Sequence, residues 1–171
     1  METRSVPQVT FKTRVRDAET GEFVWQHPTT NDYFEGKRVV VFSLPGAFTP
    51  TCSNTQVPSY DTLYDQFIEA GVDDVYCVSC NDAFVMNAWA LDLRVKNVKM
   101  IPDGSCEFTA GMDMLVAKDN LGFGKRSWRY AMVVNNGVIE KMFVEPGMSD
   151  DCPTDPYGES SPEKVLEFLK A

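Results

Sequence analysis

The chain has 171 residues, 43% hydrophobic and 24% charged, with a formal net charge of −9. That length and composition suit one ordinary hydrophobic core and exclude a disordered chain. The acidic balance argues against a nucleic-acid binder, which needs a basic footprint. No apolar run reaches the roughly 18 residues of a membrane span. Met1-Glu-Thr-Arg-Ser-Val-Pro7 lacks an apolar signal region, so the cytoplasm or an organelle matrix is expected.

Taken in order, Val9 to Val15 alternates apolar and polar residues, which predicts a half-exposed strand. Phe23-Val-Trp25 pairs with it across a turn at Glu19 to Glu22. His27, the one histidine, lies in a polar, turn-like stretch and reads as an exposed loop residue. Lys37 to Leu44 is a continuous β-branched and apolar run, the pattern of a strand buried on both faces. Tyr60, Leu63, Tyr64, Phe67 and Ile68 form one helical stripe, stopped by Gly71. Val75 to Cys80 is a second buried strand. Asn81-Asp82 caps a helix carrying Phe84, Val85, Ala88, Trp89 and Leu91. Tyr130 to Val134, a turn at Asn135-Asn-Gly137, and Val138 to Phe143 read as a hairpin. Ser160, Pro162 and Glu163 open a last helix that buries Val165, Leu166 and Leu169. Alternating strands and helices followed by a hairpin imply an α/β fold, with a mixed central sheet flanked by helices on both faces. It is expected to form a single thioredoxin-like unit over residues 1–171.

The chemistry-bearing segment is Pro45-Gly-Ala-Phe-Thr-Pro-Thr-Cys-Ser53, at the carboxyl end of the first buried strand, where open α/β sheets bind ligands. Thr49 suits an N-cap and Pro50 the first helical position, which puts Cys52 in the first turn. Unpaired backbone N–H groups and the helix dipole there favour thiolate, the nucleophilic form. Three residues away, the Thr49 hydroxyl can approach the sulfur or a substrate oxygen. Pro45 and Pro50 stiffen the loop.

The same nine residues closely resemble the peroxiredoxin signature P-x-x-x-T-x-x-C, in the form found in the peroxiredoxin-5 (type II) subfamily. Val78 to Trp89, Pro102-Asp-Gly104, Leu121 to Tyr130 and Glu140 to Pro146 resemble that subfamily too, in order and over roughly residues 5 to 170. The resemblance implies a thiol peroxidase without metal, haem or flavin. It implies that Cys52 attacks the peroxide O–O bond and becomes a sulfenic acid. It further implies that Thr49 holds the peroxide, that Pro45 shields the sulfur, and that Arg129 supports the thiolate and polarises the peroxide. Arg126 is the rival to Arg129. Three residues apart in an extended segment, only one of the two is expected to face Cys52.

The other cysteines carry weaker signals. Cys77 and Cys80 spell C-x-x-C, but on a strand they point to opposite faces with Cα atoms roughly 10 Å apart. That is too far for a disulfide, which needs less than about 7 Å. No second ligand pair supports zinc. The resemblance offers Cys77, 25 residues after Cys52, as a resolving cysteine. Cys152 is the alternative, although Asp150 and Asp151 beside it are expected to disfavour its thiolate. Other family members are reduced directly by glutathione or glutaredoxin. Cys106 reads as incidental. The resemblance implies glutathione with glutaredoxin, or thioredoxin, as the reductant, and a homodimer, with Phe48 and Phe84 expected either as apolar contributors to its contact face or as core residues. Two other function classes compete. A thiol–disulfide oxidoreductase would need a cysteine where Thr49 stands, and a chaperone or redox-signalling protein would need no peroxide chemistry.

Overall fold

The computed structural model describes residues 4–171. Five strands form the central sheet in the order β5 (Lys99–Pro102), β4 (Asp74–Ser79), β3 (Arg38–Ser43), β8 (Tyr130–Asn135), β9 (Val138–Val144), while β6 (Leu115–Ala117) and β7 (Lys125–Ser127) pair by themselves. β3 (Arg38–Ser43) and β4 (Asp74–Ser79) are the two apolar runs read as buried strands, and they pair in parallel. β5 (Lys99–Pro102) adds a third parallel strand, while β8 (Tyr130–Asn135) and β9 (Val138–Val144) form the expected antiparallel hairpin. Both hairpin-turn residues, Asn136 and Gly137, have positive φ (49° and 80°), the backbone that a two-residue turn between twisted strands demands. The sheet is covered on both faces. Val39, Val41, Tyr76 and Val78 pack under α1 (Thr30–Phe34) and α5 (Glu107–Gly111). Val40, Phe42, Val75 and Cys77 pack under α2 (Val57–Thr62), α3 (Tyr64–Glu69), α4 (Ala83–Asp92) and α6 (Pro162–Lys170).

Several elements depart from the sequence expectation. The strand expected over Val9 to Val15 begins only at Thr13: β1 (Thr13–Arg16) pairs with β2 (Phe23–Gln26) as a small ribbon apart from the main sheet. The stripe expected from Tyr60 to Ile68 breaks at Leu63, which leaves helical geometry between α2 and α3. The break shifts the stripe's phase, so Phe67 is buried while Ile68 faces outward. On α4, Asp82 caps Val85 N–H as expected, and Ala83, Met86 and Trp89 are the buried residues, whereas Phe84 and Leu91 are exposed. The cap of α6 is Ser161, because Ser160 is engaged elsewhere. His27 is exposed. Among the described residues, no helix is long and apolar enough to cross a membrane.

Candidate active site

The helix after β3 starts at Pro50. Ser53 N–H donates to the Thr49 carbonyl at 2.9 Å, so Thr49 occupies the cap position in the backbone sense. The turn Cys52–Gln56 is π-helical, with Val57 N–H reaching back to the Cys52 carbonyl, a wide turn of the kind often found at functional sites. Cys52 has no solvent exposure and packs among Phe42, Tyr60, Cys77 and Ala131. The Thr49 hydroxyl donates to the Gly46 carbonyl at 2.8 Å. It makes no hydrogen bond to the sulfur among the described residues. Its lone pairs stay available to a donor in the half-buried loop. Pro45 is buried at the head of that loop.

A cation lies directly on the sulfur. Arg129 donates from Nη2 to Cys52 Sγ at 3.3 Å, across 77 residues of sequence. Its guanidinium is buried, and Nε donates to Gln56 Oε1 at 2.8 Å, four residues on from Cys52 in the π-helical turn. Burial works to lower the Arg129 pKa, but the Cys52 sulfur and Asp155 outweigh it, so Arg129 is held above its ordinary value and stays charged. Such a group stabilises negative charge on sulfur, and a donor at this place also favours charge developing on a departing oxygen. Arg126 faces the same loop but not the sulfur. Its Nη1 donates to the Pro45 carbonyl at 3.1 Å. It lies close over Gly46, where a Cβ would sit 2.1 Å from Nη1, so a side chain there would push the Arg126 guanidinium aside. Both arginines thus reach the loop: Arg129 takes the side chain of Cys52 and Arg126 takes the backbone.

The Redoxin family model matches residues 24–156 of this chain. A peroxiredoxin of Rhizobium etli is 61% identical, over 98% of this chain and 96% of its own length. The chain belongs to the peroxiredoxin family. Like its relatives this peroxiredoxin is a thiol peroxidase. Among solved structures, the Plasmodium falciparum antioxidant protein, a 1-Cys peroxiredoxin, is similar with a TM-score of 0.93 and 39% identity over 99% of each chain. Reduced Prx3 of Vibrio vulnificus in complex with hydrogen peroxide matches with a TM-score of 0.84 and 35% identity, over 99% of this chain and 96% of that one.

The remaining thiols of this peroxiredoxin differ sharply. Cys77 is fully buried on β4 in the same cluster as Cys52, and burial, with the nearby Cys52 sulfur, pushes its thiol well above the ordinary range. Cys80 lies just past β4 and donates to the Thr109 hydroxyl of α5 at 3.3 Å, so it faces the other side of the sheet from Cys77. Burial raises its thiol too. Cys106 is half-buried with φ of 60° at the start of α5. Cys152 corrects an expectation. Its thiol is lowered, because the backbone and hydroxyl of Thr154 hydrogen-bond to it, and these donors outweigh the effect of burial.

Some of the site is absent from the sequence reading. Asp155 and Pro156, in a segment that carries no motif, contact the Arg129 guanidinium, and Gln56 holds its Nε. Gln56 carried a usable signal, since it falls one turn after Cys52. Asp155 carried none, because its partner is 26 residues away. A cavity of about 340 Å³ lies by Trp25, Asp82 and Gly104, and none of the Cys52 loop lines it.

Proposed function

We propose that Cys52 is the peroxidatic residue of this thiol peroxidase. Its thiolate attacks one peroxide oxygen. An S–O bond forms as the O–O bond breaks, and sulfur is oxidised to a sulfenic acid. The departing oxygen takes a proton and leaves as water or an alcohol. The observation that carries this reading is the Arg129 Nη2 to Cys52 Sγ hydrogen bond at 3.3 Å inside a water-poor site. In this scheme Arg129 stabilises charge on sulfur and on the peroxide, the Thr49 hydroxyl oxygen accepts the peroxide proton donor, and Pro45 keeps bulk water from the sulfur.

The sulfenic acid is returned to thiol by glutathione with glutaredoxin, or by thioredoxin. Cys77 shares the Cys52 cluster and is the better resolving candidate by position. Cys152 is the better by its lowered thiol. Direct reduction without a resolving cysteine is supported by the likeness to a protein described as a 1-Cys peroxiredoxin. A homodimer through the face bearing Phe48 and Phe84 is supported by their exposure, 52% and 56%. The five cysteines are all free, which suits the reducing cytoplasm or an organelle matrix and a part in antioxidant defence and cell redox homeostasis.

The test is peroxide consumption with glutathione plus glutaredoxin, and separately with thioredoxin, for the wild type and Cys52→Ser. Cys52→Ser is expected to abolish turnover with either reductant. Turnover that survives the substitution overturns the assignment. Peptide masses after one equivalent of peroxide identify the sulfur that Cys52 joins.

A further inference from the structure

The segment after β9 supplies the other half of Arg129's surroundings. A guanidinium has five N–H donors. Here Nε meets Gln56, Nη2 meets the Cys52 sulfur, and Asp155 grips the opposite edge with both oxygens: Oδ1 on Nη1 at 2.7 Å and Oδ2 on Nη2 at 3.2 Å. The Pro156 carbonyl accepts the other Nη1 hydrogen bond at 3.0 Å. A two-pronged carboxylate fixes the plane of the guanidinium and not only its charge. The Tyr157 ring adds a face, 5.6 Å from Arg129 Cζ.

The segment is itself pinned. Buried Glu145, at the end of β9, accepts the backbone N–H groups of Gly158, Glu159 and Ser160 and the Ser160 hydroxyl. The Tyr60 hydroxyl, from α2, donates to the Ser160 carbonyl at 2.5 Å. Asp155 is therefore held at the end of a short strap, although its side chain is 48% exposed while that of Arg129 is 1% exposed. An exposed carboxylate gains little from an ion pair as such. Its value here is directional.

We propose that Asp155 is a positioning residue for the peroxidase reaction: it holds Arg129 in the plane that keeps one Nη2 proton on the Cys52 sulfur. The proposal rests on the reading of Cys52 and Arg129 given above. Asp155 acts through Arg129 and touches neither the sulfur nor the peroxide. Misplacing a group by about 1 Å at such a site costs on the order of 100-fold in rate.

The experiment measures two rates on the full chain. Asp155→Ala is expected to lower the second-order rate constant for hydrogen peroxide by about 10- to 100-fold. Alkylation of Cys52 by iodoacetamide, which requires a thiolate but no aligned donor for an oxygen, falls by less than the peroxide rate, because the guanidinium charge stays near the sulfur even when its plane is no longer held. Asp155→Asn retains an acceptor oxygen toward Nη1 but loses the second prong, and recovers only part of the lost peroxide rate. An Asp155→Ala protein that consumes peroxide at the wild-type rate overturns the proposal. So does an equal fall in both rates that Asn does not recover, since that marks a strap that has merely come apart. Cys52→Ser in the same assay separates the two readings: peroxide consumption by that protein removes Cys52 from the chemistry whatever Asp155 does.

Discussion

The carboxyl ends of β3 and β4 are near-repeats of one design. The strands are parallel neighbours, each is buried, and each gives way through a short turn to a helix, with a cysteine close to the turn. At the β3 end the sulfur of Cys52 meets a charged guanidinium. At the β4 end the sulfur of Cys80 meets the Thr109 hydroxyl, and burial pushes its thiol up. The comparison teaches that a strand-end turn positions a thiol but does not by itself supply a charged partner for it. The difference is a cation delivered from outside either βα unit, on the approach to β8.

The sharpest way to break the comparison is to remove that cation. Arg129→Ala is expected to lower the peroxide rate constant by about 10²- to 10³-fold, the range seen for loss of one oriented donor. Arg126→Ala, which leaves the sulfur's partner in place and removes only the hold on Pro45, should cost less than about tenfold. Stopped-flow peroxide kinetics on both proteins check the ranking, and equal losses would erase the distinction drawn between the two arginines.

Alkaline pH probes both ends through their tyrosines. At the β3 end, burial and then Glu163 push Tyr157 up to about 12, against the pull of Arg129. On β8, facing Asp103 and Cys80 of the β4 side, Tyr130 is pushed further in the same direction by burial and then by those two groups. The folded protein holds these protons more tightly than the unfolded chain, whose tyrosines titrate near about 10. Their contribution to stability is thus complete below that pH and is lost as pH rises through the folded values. The thermal midpoint should fall steadily above that point, followed alongside tyrosinate absorbance. The smallest effect belongs to Cys80→Ser. It should leave the peroxide rate within about twofold, since the serine replaces a sulfur that has no charged partner; a large loss would give the β4 end a part in catalysis.

The sequence made the local features plain and the distant ones invisible. β3 and β4 were legible because strands buried on both faces must be continuously apolar. The position of Cys52 was legible because Thr49, Pro50 and Cys52 share one helix start. β5 was not, since Lys99 to Pro102 is short and ends in proline, and its pairing with β4 makes it a strand. α5 was not, since its N-cap, Cys106, is left-handed and offers no side-chain cap; Asp103, three residues earlier, takes the Phe108 and Thr109 N–H groups instead. The missed α1 did carry a signal, the reciprocal Thr29 and Asp32 capping box. Thr49 was placed correctly, yet its hydroxyl proton went to Gly46, a choice that depends on how the loop folds back. Asp155 was lost for the same reason as any long-range ion pair: neither residue's neighbours encode it.

The 77 residues between Cys52 and Arg129 have a consequence for the protein's birth. Synthesis runs from the N-terminus at about 5–20 residues per second. Cys52 therefore leaves the ribosome seconds before the guanidinium that serves it. Until Tyr130 pairs with Ser43 and brings Arg129 across the sheet, the nascent chain carries an unremarkable thiol. On the proposed role of Cys52, its pairing with Arg129 therefore belongs to the finished fold and not to the growing polypeptide.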